Sequence, residues 1–142
     1  MNEHSTEEFL NKWQSQLRKG ALEICILGLI AREPTYAFAM IQSLQKHNSF
    51  NITEGALYPL LKRLQKEGQV ENFWVESDSG PPRKYYKITA YGEKLLEAMR
   101  KEWLSFADFV NVMVALKTEI SEIPDALMVE TQESRMRGSR AK

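Results

Sequence analysis

Apolar positions along the chain fall into blocks of helical spacing, interrupted once by a block with a period of two. The first block opens with Leu10, Trp13 and Leu17. It sharpens into Leu22, Cys25, Ile26, Leu29 and Ile30, the i, i+3, i+4, i+7, i+8 pattern of a helix with a core-facing stripe. Ser5 and Glu8 have the spacing of a capping box, which puts the helix start near Thr6. Gly20 reads either as a break between two helices or as a residue tolerated inside one longer helix. Glu33-Pro34-Thr35 closes the block, because the residue before a proline is pushed out of helical geometry. Ala37, Met40, Ile41 and Leu44 predict a short second helix, with Lys46-His47-Asn48-Ser49 as its polar exit. Thr53 is placed to cap a third helix, in which Leu57, Leu60, Leu61 and Leu64 form one stripe and Gly68 supplies the stop.

From Gln69 the period changes. Val70-Glu71-Asn72-Phe73-Trp74-Val75-Glu76 is aromatic and β-branched and predicts a strand. Ser77-Asp78-Ser79-Gly80-Pro81-Pro82 reads as turn or loop throughout. Arg83-Lys84-Tyr85-Tyr86-Lys87-Ile88 predicts a second strand with Lys84, Tyr86 and Ile88 on one face, and Tyr86 is the tyrosine expected in the core. The two strands make one β-hairpin. Thr89 then caps a long helix expected to run to about Ile120. Along it Leu96, Met99, Trp103, Phe106, Val110, Met113, Lys117 and Ile120 alternate in steps of three and four, a heptad seam. Pro124 follows, and residues 133–142 carry no apolar pattern and are expected to be disordered.

Helix, helix, helix, hairpin, long helix is the element order of a winged helix-turn-helix, mainly α with one β-hairpin (α+β), extended by a C-terminal helix. The expected division is an N-terminal helical extension over residues 1–16, a winged-helix domain over 17–89, a dimerisation helix over 90–121 and a disordered tail over 122–142. A seam of this kind cannot stay exposed on a monomer without leaving a large contiguous apolar patch, so Leu96, Met99, Trp103, Phe106, Val110 and Met113 are expected to form a homodimer interface. A two-fold dimer would present two recognition helices to a palindromic site.

Composition narrows the classes. The chain has 142 residues, 43% apolar and 27% charged, which supports one modest core. No stretch approaches the roughly 18 consecutive apolar residues of a membrane span. The start, Met1-Asn2-Glu3-His4-Ser5, lacks a basic segment followed by an apolar run, so no membrane role and a cytoplasmic location are expected. Cys25 is the single cysteine, which excludes an internal disulfide and a cysteine-based zinc site; it is expected as a small buried apolar side chain. His4 and His47 have no partner at metal spacing, no glycine-rich phosphate loop is present, and Glu7 and Glu8 read as helix-start charges. Neither a cofactor nor an enzymatic activity is expected.

The formal net charge is zero, which departs from the basic balance usual in nucleic-acid binders. What acts on a phosphate is local charge, because screening sets in within about 10 Å. Placed on a wheel at about 100° per residue, the third helix divides cleanly. Its leucines cluster on one side; Gly55, Tyr58, Pro59, Lys62 and Lys66 fall on the other, with Arg63 at the edge. One face then holds the helix to the core while the other offers donors and apolar edges to a major groove. Gly55 permits close approach of a phosphate or base. Pro59 breaks the local rule for helix interiors at a cost of roughly 3 kcal/mol, as residues at functional sites often do. Arg83, Lys84 and Lys87 beside Tyr85 and Tyr86 give the hairpin the chemistry of a wing that touches a DNA backbone.

Three stretches carry a resemblance. Leu17-Arg18-Lys19-Gly20-Ala21-Leu22-Glu23, Glu54-Gly55-Ala56-Leu57-Tyr58-Pro59-Leu60-Leu61-Lys62-Arg63-Leu64 and Gly80-Pro81-Pro82-Arg83-Lys84-Tyr85-Tyr86-Lys87-Ile88-Thr89 resemble the PadR family of transcriptional regulators. That family comprises the phenolic-acid-response repressors and their multidrug-sensing relatives. The likeness runs from about Leu17 to Leu96. It implies dimers built through the C-terminal helix and repression relieved by a small molecule or a stress signal. It also implies DNA contacts from Tyr36, Tyr58, Lys62 and Arg63 and from the wing residues Arg83, Lys84 and Tyr85. Ala56 stands where the family motif usually has serine or threonine. Some drug-sensing members clamp flat ligands with a tryptophan of the long helix, and Trp103 lies in that neighbourhood. Trp103, Phe106, Val110 and Met113 are accordingly the candidate pocket for a planar aromatic effector. Two other classes fit the same chain. One is a winged-helix protein-interaction module without DNA binding, favoured by the neutral charge and by Glu54, Glu67 and Glu71. The other is a small-molecule carrier that uses only the seam.

Overall fold

The computed structural model describes residues 3–47 and 51–117. Helix α1 (Glu3–Arg32) is continuous through Gly20, which costs about 1 kcal/mol relative to alanine. Burial of Ala21, Ile26, Leu27 and Ile30 on the next turns outweighs that loss. The helix begins at Glu3, so Ser5 lies within its first turn and not at its cap. The N-terminal half of α1 leaves Phe9, Leu10, Trp13 and Leu17 exposed. Cys25 is half-buried against the core, and desolvation pushes its thiol pKa up.

Beyond Pro34 the chain forms a two-residue strand, β1 (Thr35–Tyr36), which is too short to leave a periodic signal in the sequence. Helix α2 (Ala37–Gln45) buries Ala37, Met40, Ile41 and Leu44, the four positions its spacing selects. Asn48 and Ser49, in its expected exit, lie outside the described residues. Helix α3 (Glu54–Lys66) buries Leu57, Leu60, Leu61 and Leu64. Thr53 is its N-cap residue, but only the backbone carbonyl serves, accepting from the Ala56 and Leu57 N–H groups at 3.1 Å; the hydroxyl makes no capping bond. The C-terminus closes in a Schellman turn. Gly68 takes φ 76°, the Gly68 N–H donates to the Gln65 carbonyl at 3.1 Å, and the Gln69 N–H donates to the Leu64 carbonyl at 2.9 Å.

The hairpin consists of β2 (Val70–Ser77) and β3 (Gly80–Ile88), joined by Asp78-Ser79 alone. Gly80, Pro81 and Pro82 therefore belong to a strand and not to the loop that their composition predicts. The register explains how. Ser77 pairs with Gly80 and Val75 with Arg83, with an irregularity between them, so neither proline is asked for a ladder hydrogen bond. The sheet order is β1-β3-β2, all antiparallel, with Thr35 opposite Tyr86 and Tyr36 opposite Tyr85. Tyr86, 4% exposed, joins the core as expected.

Helix α4 (Ala90–Val114) is capped by Thr89, whose hydroxyl accepts from the Gly92 N–H at 3.0 Å. The same hydroxyl donates to the Gly68 carbonyl at 2.6 Å, with the Gln69 carbonyl at 3.1 Å. The Thr89 N–H also reaches the Gln69 carbonyl at 3.1 Å. This lock needs a close backbone approach at Gly92. A Cβ on Gly92 would collide with the Gln69 carbonyl oxygen and lie 2.8 Å from Ile88 Cγ1. The helix ends at Val114, short of the expected Ile120, and Lys117 falls beyond it. Ile120, Pro124 and the tail over 122–142 lie outside the described residues.

The chain divides into two units, Met1–Met99 and Arg100–Lys142. In the first, one core joins α1, α2, α3 and the sheet, with Leu96 and Met99 partly buried against it. In the second, α4 exposes Trp103, Leu104, Phe106, Phe109, Val110 and Met113. Gly92→Ala is expected to destabilise the protein by about 2–3 kcal/mol through overpacking against backbone. Gly68→Ala, with open space but positive φ, is expected to cost about 1 kcal/mol. Urea unfolding at one fixed protein concentration measures both.

Candidate nucleic-acid interface

The polar face of α3 and the hairpin form two adjoining grooves. Tyr58, Lys62, Gln65 and Lys66 of α3 line the first with Lys84 and Tyr86 of β3; its volume is about 590 Å³. Tyr36, Ala37, Phe38, Tyr58, Trp74, Pro82, Arg83, Lys84 and Tyr86 line the second, of about 490 Å³. Tyr58, Lys84 and Tyr86 belong to both, so the two make one continuous surface. Its lining holds four cations, Lys62, Lys66, Arg83 and Lys84, and no carboxylate. None of the four makes an ion pair among the described residues.

Strand alternation decides which wing residue faces which way. Trp74 is the cross-strand neighbour of Lys84, and both lie on the sheet face that carries Tyr86. Phe73, Tyr85 and Arg83 occupy the opposite face. There Tyr36 and Tyr85 pack with ring centroids 5.2 Å apart, and Phe73 and Tyr85 at 5.7 Å. The Arg83 guanidinium sits 4.8 Å from the Tyr36 ring centroid and donates to its hydroxyl at 3.3 Å. Arg83 is thus held by an aromatic partner that leaves its charge uncompensated. Lys84 Nζ lies 5.8 Å from the Tyr86 ring centroid. Burial pushes the Tyr86 phenol pKa up, with Tyr58 adding to the effect.

Of the eight residues singled out in the sequence, Tyr36, Tyr58, Lys62, Arg83 and Lys84 line this surface. Tyr85 stacks behind it on Tyr36. Gly55 is exposed at the start of α3, and a Cβ there would meet only Thr53 Oγ1 at 3.7 Å, so nothing inside the described chain requires glycine. Pro59 lies within α3 and removes the N–H that the Gly55 carbonyl would otherwise accept.

Arg63 is placed differently. Both of its terminal nitrogens donate to the Glu23 carboxylate of α1 at 3.2 Å, and Glu67 stands 3.7 Å away. The hydrogen bonds to Glu23 and its charge push the guanidinium pKa further up. Sequence alone missed this partner, which is 40 residues distant. It also missed Phe38 and Trp74, 55% and 65% exposed, as groove residues. Periodicity marks core positions, and a lone exposed aromatic carries no periodic signal. Trp103, Phe106, Val110 and Met113 lie exposed on α4, whereas Leu96 and Met99 pack on the core of the first unit.

A trihelical head with a three-stranded antiparallel sheet and a long trailing helix is a winged helix. The profile of the Transcriptional regulator PadR-like family matches residues 26–98. A crystal structure of a PadR family transcriptional regulator from Eggerthella lenta superposes with TM-score 0.70 at 30% identity, over 80% of this chain and 99% of that one. That of a PadR-like transcriptional regulator from Bacillus cereus gives TM-score 0.66 at 39% identity, over 72% and 99%. An uncharacterised protein of Lysinibacillus sphaericus is 31% identical over 103 residues, 71% of this chain and 94% of its own length. The chain belongs to the PadR-like family: it is a transcriptional regulator and not an enzyme. No helix among the described residues is long and apolar enough to cross a membrane.

The Arg63–Glu23 pair is largely exposed, so it orients more than it stabilises. A double-mutant cycle with Glu23→Gln and Arg63→Gln is expected to return a coupling below about 1 kcal/mol, read by urea unfolding.

Proposed function

We propose that this regulator is a homodimeric, cytoplasmic repressor that binds a palindromic operator in double-stranded DNA. The carrying observation is the surface shared by α3 and the hairpin, where a chain of zero net charge gathers four cations and no carboxylate. α3 enters the major groove with Tyr58 and Lys62 foremost, and exposed Gly55 lets the backbone approach. Arg83 and Lys84 take phosphates alongside, with Tyr36 and Tyr85 holding the Arg83 end of the wing in place. Arg63 contributes to DNA only by giving up Glu23, and we assign it the weaker contact. The reading head corresponds to residues 17–89, and residues 90–121 serve association.

The exposed Trp103, Phe106, Val110 and Met113 support the second half of the proposal. So broad an apolar face is rare on a monomer, and a second copy of the same helix would cover it. The same side chains suit a planar aromatic effector held between copies, whose binding relieves repression.

Binding to a duplex recovered by selection from a random-sequence pool tests the first half. Lys62→Ala and Arg83→Ala are each expected to lower the slope of log affinity against log salt by about one. Unchanged slopes would sink the phosphate assignment and favour a protein-interaction module. For the second half, Phe106→Glu is expected to turn a sedimenting dimer into a monomer and to weaken binding to the palindrome. An effector at the seam is expected to quench tryptophan fluorescence in the wild type and not in Trp103→Ala.

A further inference from the structure

Trp74 and Phe38 are large exposed aromatics that neither the core nor the assigned phosphate contacts use. They come from different elements, β2 and α2, yet they line one groove with Tyr58, Arg83 and Lys84. Trp74 shares its sheet face and cross-strand register with Lys84, and the groove that both line holds no carboxylate. An apolar wall whose charged neighbours in the groove are all cations fits a partner that alternates anionic groups with apolar ones. A DNA strand does so, with a phosphate and then a deoxyribose at every step. A hydrophobic peptide would leave the cations unmatched, and an acidic one would leave the aromatics wet.

We infer that Trp74 and Phe38 form a non-ionic clamp on one operator strand: their rings pack on consecutive deoxyriboses while Arg83 and Lys84 hold the flanking phosphates. The Trp74 indole N–H supplies one further donor to a phosphate oxygen. This rests on the DNA-binding reading and assigns that surface its apolar contact. The clamp removes aromatic surface from water without displacing counterions, so its signature is affinity without salt dependence.

The test uses the full chain and the same selected duplex. Trp74→Ala and Phe38→Ala are each expected to weaken binding about tenfold, the low end of aromatic contacts to nucleic acid, with the salt slope unchanged. Trp74→Phe is expected to recover most of the loss. In a Trp13→Phe, Trp103→Phe background, the duplex is expected to shield the remaining Trp74 from iodide quenching. Far-ultraviolet dichroism of each variant separates lost contact from lost fold, and a variant that fails to fold leaves the decision to the shielding measurement. If Lys62→Ala and Arg83→Ala lower the slope while Trp74 stays unshielded and Trp74→Ala binds as the wild type, the clamp is wrong and the DNA reading stands. If selection recovers no duplex, both fall. If Trp74→Ala lowers the slope as a lysine variant does, the side chain only positions Lys84, and the clamp is wrong.

Discussion

The geometry of the head depends on one backbone junction, where the end of α3, the root of the hairpin and the start of α4 meet. Gly68 turns the chain with positive φ, and Thr89 ties the Gly68 and Gln69 carbonyls to the cap of α4. Gly92 lets the first turn of α4 come within contact of the Gln69 backbone. Few residues are involved, yet they fix the angle at which β2 and β3 leave the core. That angle sets the gap between Tyr58 and Lys62 on one side and Lys84 on the other. A recognition surface built from two elements is only as definite as the joint that orients them.

Charge in this chain is sorted, not scarce. Glu23 and Glu67 engage Arg63, Glu71 stands 3.7 Å from Lys87, and Glu8 lies 3.5 Å from Lys12. Each of these pairs neutralises a cation away from the groove. Two of the four cations that line the groove are held by rings instead, Arg83 over Tyr36 and Lys84 near Tyr86. An aromatic face positions a cation without cancelling it, whereas a carboxylate would do both. This is how a neutral sequence can present a basic face, and why net charge is a weak guide to a partner that senses charge over about 10 Å.

Much of the fold was legible because it rests on periodicity. Ala37, Met40, Ile41 and Leu44, and then the four leucines of α3, are buried as their spacing demands. The places where the reading failed have distinct causes. Gly80, Pro81 and Pro82 look like loop by composition, and a bulge in the register admits them to a strand. β1 exists only because β3 offers Thr35 and Tyr36 a partner about 50 residues away. Thr53 has a capping side chain by type, but at the start of α3 its backbone carbonyl does the work. Only at β1 did the missing signal lie with a partner far along the chain.

The sequence by itself determined the order of the helices and the hairpin, the core stripes, the helix stop at Gly68 and the family, because each depends on residues close together along the chain. Tertiary structure alone decided which charged and aromatic side chains share a surface. It sent Arg63 to Glu23, put Tyr36 beneath Arg83, and set Phe38 and Trp74 in the groove beside Tyr58. The physical reason is that helical and strand periods fix only the face of an element on which a residue lies. Which faces meet is fixed by packing between elements, where the contacting residues lie tens of positions apart.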